Sequence, residues 1–189
     1  AQLLPSGQDT TAMTRELCFG FCRHYFRLQA IALRLVDKKP KDTTVWVALL
    51  IGLYQLHYMK TPDYAVVKET VALLEKTKKG WAKGLINAVL RRFCREQDTI
   101  LAALKDEPAF VHGQSPTLLK YFKRDWPQDW QKIAAANDAH PPMTLRVNTQ
   151  RVSVTDYLNL LQENDIAATA HTIAAEGIDL AKPCDVFSL

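Results

Sequence analysis

The run Val45–Met59, VWVALLIGLYQLHYM, limits this chain's fold more than any other stretch. Wound as a helix it is apolar on nearly every side, so it needs neighbours all round. Its 15 residues include Gly52, Gln55 and His57 and fall short of the ~18–20 residues that span a bilayer. The run therefore predicts a central buried helix. Asp42, Thr43 or Thr44 can cap its start, and Lys60-Thr61-Pro62 ends it.

Helical periodicity supplies the neighbours. A helix from about Thr11 to Val36 is apolar at Leu17, Phe21, Phe26, Leu28, Ile31 and Leu35, and basic at Arg15, Arg23, Arg27 and Arg34. Gly20 either interrupts it or permits close packing, and Pro40 disfavours helix at Lys39. A helix over about Tyr64–Lys76 has its core face at Val67, Val71 and Leu74. Pro108 is a break, Ser115 caps a helix with Pro116 in its first turn, and a last helix runs from Trp126-Pro127 to about Ala139.

At His140-Pro141-Pro142 the pattern changes. Met143–Thr149 alternates as a strand, Ser153–Asp156 is a capping box leading a helix to about Gln162, and Ala167–Thr172 and Gly177–Leu180 read as short strands. The expected fold is mainly α, with an all-helical bundle over residues 1–139 and a small, incomplete α/β segment over 140–189. Residues 1–9 read as loop.

Charge is distributed unevenly. Residues 1–97 carry 16 basic and 8 acidic residues, and residues 98–189 carry 8 and 12. A basic front half and an acidic rear half suggest a polyanion-facing module followed by something with another task. The basic excess peaks in Lys76–Glu96, KTKKGWAKGLINAVLRRFCRE, which holds seven cations and no acidic residue up to Arg95. Trp81, Leu85, Ile86, Val89 and Phe93 recur at helical spacing and form the expected core face. Lys83, Asn87, Arg91 and Arg95 fall opposite, with Gly84 among them. Lys78, Lys79, Lys83, Arg91, Arg92 and Arg95 are the candidate phosphate contacts. Trp81 is assigned to the core rather than to a base-stacking platform. A solvated helix face beside a lysine loop is the plainer alternative.

No glycine-rich phosphate loop is present, because the seven glycines never form G-x-G. The five histidines are isolated, and His57 within the apolar run reads as a core histidine. No metal-ligand set stands out. Of the four cysteines, Cys18 and Cys22 share a helix face and read as small buried hydrophobes, which fits a reducing compartment. Pro183-Cys184 reads as a surface turn rather than a nucleophile. The chain as given is expected to catalyse nothing.

Thr61–Phe93 resembles the NusB-like domain. The match lies at Pro62, Glu69 and Val71, then at Gly84, Leu85, Ile86, Asn87, Ala88, Val89, Leu90 and Arg91. Arg15-Glu-Leu-Cys-Phe-Gly20 looks like that family's L-x-x-G segment, and Ile51–Gln55 looks like its central helix. Downstream, Pro141-Pro-Met-Thr-Leu-Arg-Val-Asn148 looks like a junction found in bacterial 16S ribosomal RNA cytosine-C5 methyltransferases of the Sun/Fmu type. A free-standing NusB antitermination factor would lack that junction.

The resemblance implies a cytoplasmic, RNA-binding NusB-like domain and a small α/β linker. These would precede an S-adenosylmethionine-dependent methyltransferase domain that begins after Leu189 and carries the cofactor and the catalytic cysteines. Cys184 matches neither cysteine. The chain is thus expected to be a piece of a longer protein, with 16S ribosomal RNA and its own methyltransferase domain as partners and no membrane. The first helix of the NusB-like domain, where free-standing NusB proteins often carry an arginine-rich RNA contact, is expected to be missing or to lie before Ala1. Two alternatives stay open: a helical protein-interaction or dimerisation module, and a NusB-type antitermination factor.

Overall fold

The computed structural model of the chain describes residues 11–59, 61–139 and 141–186. Expectations for residues 1–9, Lys60, His140 and the last three residues lie outside that range. The chain divides into two compact units, Ala1–Asp138 and Ala139–Leu189.

The first unit is helical throughout its described residues. It contains α1 (Ala12–Leu35), α2 (Thr43–Tyr58), α3 (Asp63–Lys76), a 3-10 turn (Gly80–Ala82), α4 (Lys83–Leu104), α5 (Pro108–His112), α6 (Pro116–Asp125) and α7 (Trp130–Asp138). The starts follow from capping chemistry. Thr11 Oγ1 accepts from the Thr14 N–H at 3.2 Å, Asp42 Oδ1 from Thr44 and Val45 at 2.9 and 3.2 Å, and Ser115 Oγ from Leu118 at 3.0 Å.

As the apolar run requires, α2 lies at the centre, with Val45, Trp46, Ala48, Leu49, Leu50, Gly52, Leu53 and Tyr54 buried and α1, α3 and α4 packed around it. Gly20 permits the closest approach. A Cβ there would sit 1.8 Å from the Tyr54 hydroxyl oxygen, which donates to Glu16 Oε1 at 2.5 Å. Cys18 and Cys22 are not buried hydrophobes: Cys18 is half-buried and Cys22 exposed. They lie about 100–140° round the helix from the inward line of Leu17, Leu28 and Leu35.

One basic residue of α1 turns inward. Arg27 Nη1 and Nη2 grip Asp138 at 2.8 and 2.7 Å, while Nε and Nη2 donate to the carbonyls of Phe110 and Val111 at 2.9 and 3.0 Å. This bidentate pair ties α1 to the ends of α5 and α7.

In the second unit, β1 (Met143–Arg146), β3 (Gly177–Leu180) and β2 (Ala168–Ala170) form an antiparallel sheet in the order β1-β3-β2, and α8 (Val154–Glu163) packs on it. Val147, Leu161, Ile178 and Leu180 make its core. Both outer strands end earlier than the alternation suggests, because side chains capture the backbone. Asn148 Oδ1 accepts from the Gln150 N–H at 3.2 Å, and His171 Nδ1 from Ile173 and Ala174 at 3.1 and 2.9 Å. Cys184, expected in a surface turn, instead packs partly buried against this core. Among the described residues no helix is long and apolar enough to cross a membrane.

Candidate nucleic-acid interface

The basic segment forms three pieces: the turn after α3, the 3-10 turn, and the outer face of α4. The first turn closes with the Lys78 N–H bonded to the Glu75 carbonyl at 3.0 Å and the Lys79 N–H to that of Leu74 at 2.7 Å. This paired bonding is a Schellman closure, whose left-handed position usually holds glycine. Here Lys78 occupies it, at φ 60°. A non-glycine residue in that region costs about 1 kcal/mol, so local stability does not explain the lysine.

The buried side of α4 consists of Ile86, Val89, Leu90, Phe93, Ile100 and Leu104. Trp81 and Leu85, assigned to the core by spacing, are 69% and 42% exposed. In the 3-10 turn Ala82 faces inward and Trp81 outward. Leu90, buried on the flank away from Leu85, centres the core face about 90° round from Leu85 and about 130° from Trp81.

The six candidate cations differ in their partners. Lys79 Nζ lies 2.5 Å from Asp42 Oδ2, and so holds the carboxylate that caps α2. The Lys79 ammonium, and after it the Val45 N–H, keep that carboxyl below the usual range. Lys83 is paired with Glu75 of α3, and Arg92 Nε with Glu96 at 3.0 Å. Arg91 Nε donates to the neutral Asn87 Oδ1 at 3.0 Å, which leaves its charge uncompensated. Lys78, Arg91 and Arg95 are exposed, and none has an acidic partner among the described residues. Trp81, Gly84, Leu85, Ala88, Arg91 and Arg95 fall within one outward arc of α4 and the turn before it. The spread of cations was legible in the sequence. The exposed indole was not, since an aromatic at helical spacing reads as core.

Of the other titratable groups in this unit, His57 lies against Phe93 and within 3.3 Å of Gln97 Nε2, and burial pushes its imidazole below its ordinary value. His24 stacks on Tyr58 with ring centroids 4.0 Å apart and is lowered mainly by burial. Both are packing groups of the bundle interior.

Sequence comparison fits this architecture. Residues 3–95 match the NusB family, and residues 115–187 match the Methyltr_RsmF/B-like, ferredoxin-like domain. The chain therefore joins a NusB-family domain to an RsmF/B-like ferredoxin-like domain. By sequence α6 and α7 belong to the second, although in the structure they pack with α5 in the helical unit.

The particular relatives are proteins named ribosomal RNA small subunit methyltransferase B. The chain is 45% identical over 179 residues to that of Pseudomonas syringae pv. tomato, covering 94% of this chain and 40% of that protein. It is 44% identical over 191 residues to that of Pseudomonas putida, covering 100% and 44%. A protein of Coxiella burnetii named "probable ribosomal RNA small subunit methyltransferase B" is 38% identical over 189 residues, covering 99% and 44%. The chain thus spans 40–44% of the length of these relatives. A solved structure titled "Crystal Structure of PH0851" shares the fold, with TM-score 0.58 at 10% identity, over 96% of this chain and 43% of that one.

Proposed function

We propose that this chain is the RNA-binding N-terminal region of an S-adenosylmethionine-dependent methyltransferase acting on a cytosine C5 of 16S ribosomal RNA in the bacterial cytoplasm. The observation that carries the reading is the order of the two domains, shared along nearly the whole chain with proteins named ribosomal RNA small subunit methyltransferase B. The outer face of α4 adds the chemistry, presenting Lys78, Arg91 and Arg95 toward solvent without acidic partners among the described residues. The described residues do not fit the methyl donor: three short antiparallel strands and glycines that never form G-x-G offer no phosphate or nucleoside cradle. This region's contribution is to place RNA, and the donor belongs to the methyltransferase domain of the parent.

Salt dependence tests the reading. Each phosphate neutralised on single-stranded RNA steepens the fall of log affinity with log salt by about 0.7. Three engaged cations give a slope of roughly −2. Lys79, Lys83 and Arg92 would steepen it only by giving up their carboxylates. Arg91→Ala with Arg95→Ala should make the slope shallower by about 1.4, similarly for all RNA sequences. An unchanged slope in a fully helical double variant would remove the RNA-binding role from this helix and favour a protein-interaction module.

A further inference from the structure

The outward arc of α4 holds two features that phosphate binding does not use. The first is the Trp81 indole, 69% exposed, one turn before the exposed Leu85 side chain. The second is Gly84. Nothing lies within 4 Å of where its Cβ would be, and its φ is not in the left-handed region. The fold requires neither the room nor the backbone freedom that glycine provides there. A bare backbone beside an exposed indole suits the close approach of a flat group from outside.

The surrounding charge indicates which flat group. Lys78 precedes the indole, and Arg91 and Arg95 follow it about 15 and 21 Å along the helix axis. An aromatic platform between cations is how proteins hold single-stranded nucleic acid, with bases stacked on rings and the backbone on positive charge. A duplex keeps its bases paired and cannot use the ring.

We propose that Trp81, with Leu85 and the open backbone at Gly84, is a stacking platform for an unpaired base. The RNA strand's phosphates run along α4 to Arg91 and Arg95. This rests on the RNA-binding reading above and narrows its ligand to single-stranded or looped RNA.

The test uses the 189-residue chain with two probes: a fluorescein-labelled oligouridine, whose bases stack little among themselves, and a blunt RNA duplex of equal length. Trp81→Ala should weaken oligouridine binding by about 5- to 150-fold, leave its salt slope unchanged, and leave the duplex affinity unchanged. Trp81→Phe should recover most of the loss. Gly84→Gln, which adds a good helix former without charge, should weaken oligouridine binding while thermal stability holds or rises. Circular dichroism should show full helicity in each variant, since Trp81 is not part of the core. The platform is overturned if Trp81→Ala binds oligouridine as tightly as the parent, or loses strand and duplex equally. If the parent chain binds both RNAs with its normal slope and only the Trp81 variants are silent, the platform alone falls. If the parent binds neither, the RNA-binding reading falls with it.

Discussion

The inner seam between α1 and its neighbours and the outer face of α4 are made from the same residue types. Each has an arginine and a glycine that decide its character. On the seam, Arg27 is 14% exposed and saturated by Asp138 and two carbonyls, and Gly20 leaves no room even for a methyl group. On the outer face, Arg95 has no acidic partner among the described residues and Gly84 faces open space. The difference teaches that a cation or a glycine has no role by itself in this domain. Its role is set by whether a carboxylate, a carbonyl or a ring from another helix reaches it.

The largest effect should come from breaking the seam's ion pair. Arg27→Ala leaves Asp138 and the carbonyls of Phe110 and Val111 without their donor, at a cost of about 2–3 kcal/mol. Urea unfolding measures this. A loss below 1 kcal/mol would put Arg27 in the same class as the outer arginines.

Next comes Gly20→Ala. The new methyl must displace the Tyr54 ring, which is 2% exposed and bonded to Glu16. Overpacking of this kind costs about 1–3 kcal/mol, again read by urea unfolding. Tyr54→Phe in the same background should recover part of the loss, because it removes the hydroxyl that the methyl strikes.

Acid should weaken the seam selectively. Burial, foremost, lowers the imidazoles of His24, His57 and His112. The unfolded chain therefore takes up protons first as pH drops below about 6.5, and the stability these groups contribute is full above that pH and lost below it. The Arg27 guanidinium holds the Asp138 carboxyl low, which acts in the same direction in a lower window: full above about 3.9 and lost as pH falls through the depressed value. Thermal melts at pH 7, 6, 5 and 4 should show a falling midpoint throughout. A midpoint flat from pH 7 to 5 would contradict the histidine assignment.

The smallest effects belong to the outer face. Gly84→Ala fills open space in the first turn of α4 and should stabilise the fold by about 0.5 kcal/mol. Arg91→Ala with Arg95→Ala should change stability by no more than ~0.5 kcal/mol, whatever it does to RNA binding. A loss near that of Arg27→Ala would show that the outer arginines are structural after all, and the comparison would collapse.

The sequence by itself determined the central helix, because fifteen nearly uniform apolar residues must be surrounded. It also determined the cap at Ser115 and the capping box at Ser153, and narrowed the cap of the central helix to Asp42, Thr43 or Thr44, because side-chain chemistry there acts over two or three residues. The change of pattern at Pro141-Pro142 marked the start of the α/β part for the same local reason. Only the tertiary structure decided which cations are committed. Asp42 and Lys79, Glu75 and Lys83, and Arg27 and Asp138 are joined across different helices, and no local pattern encodes such pairings. The tertiary structure also placed Trp81 outside. Spacing alone admits a face running from Trp81 through Leu85 and Val89, whereas burial of Leu90 with Ile86 and Phe93 centres the face about 90° round from Leu85 and about 130° from Trp81. The indole assigned to the core by spacing therefore lies on the surface.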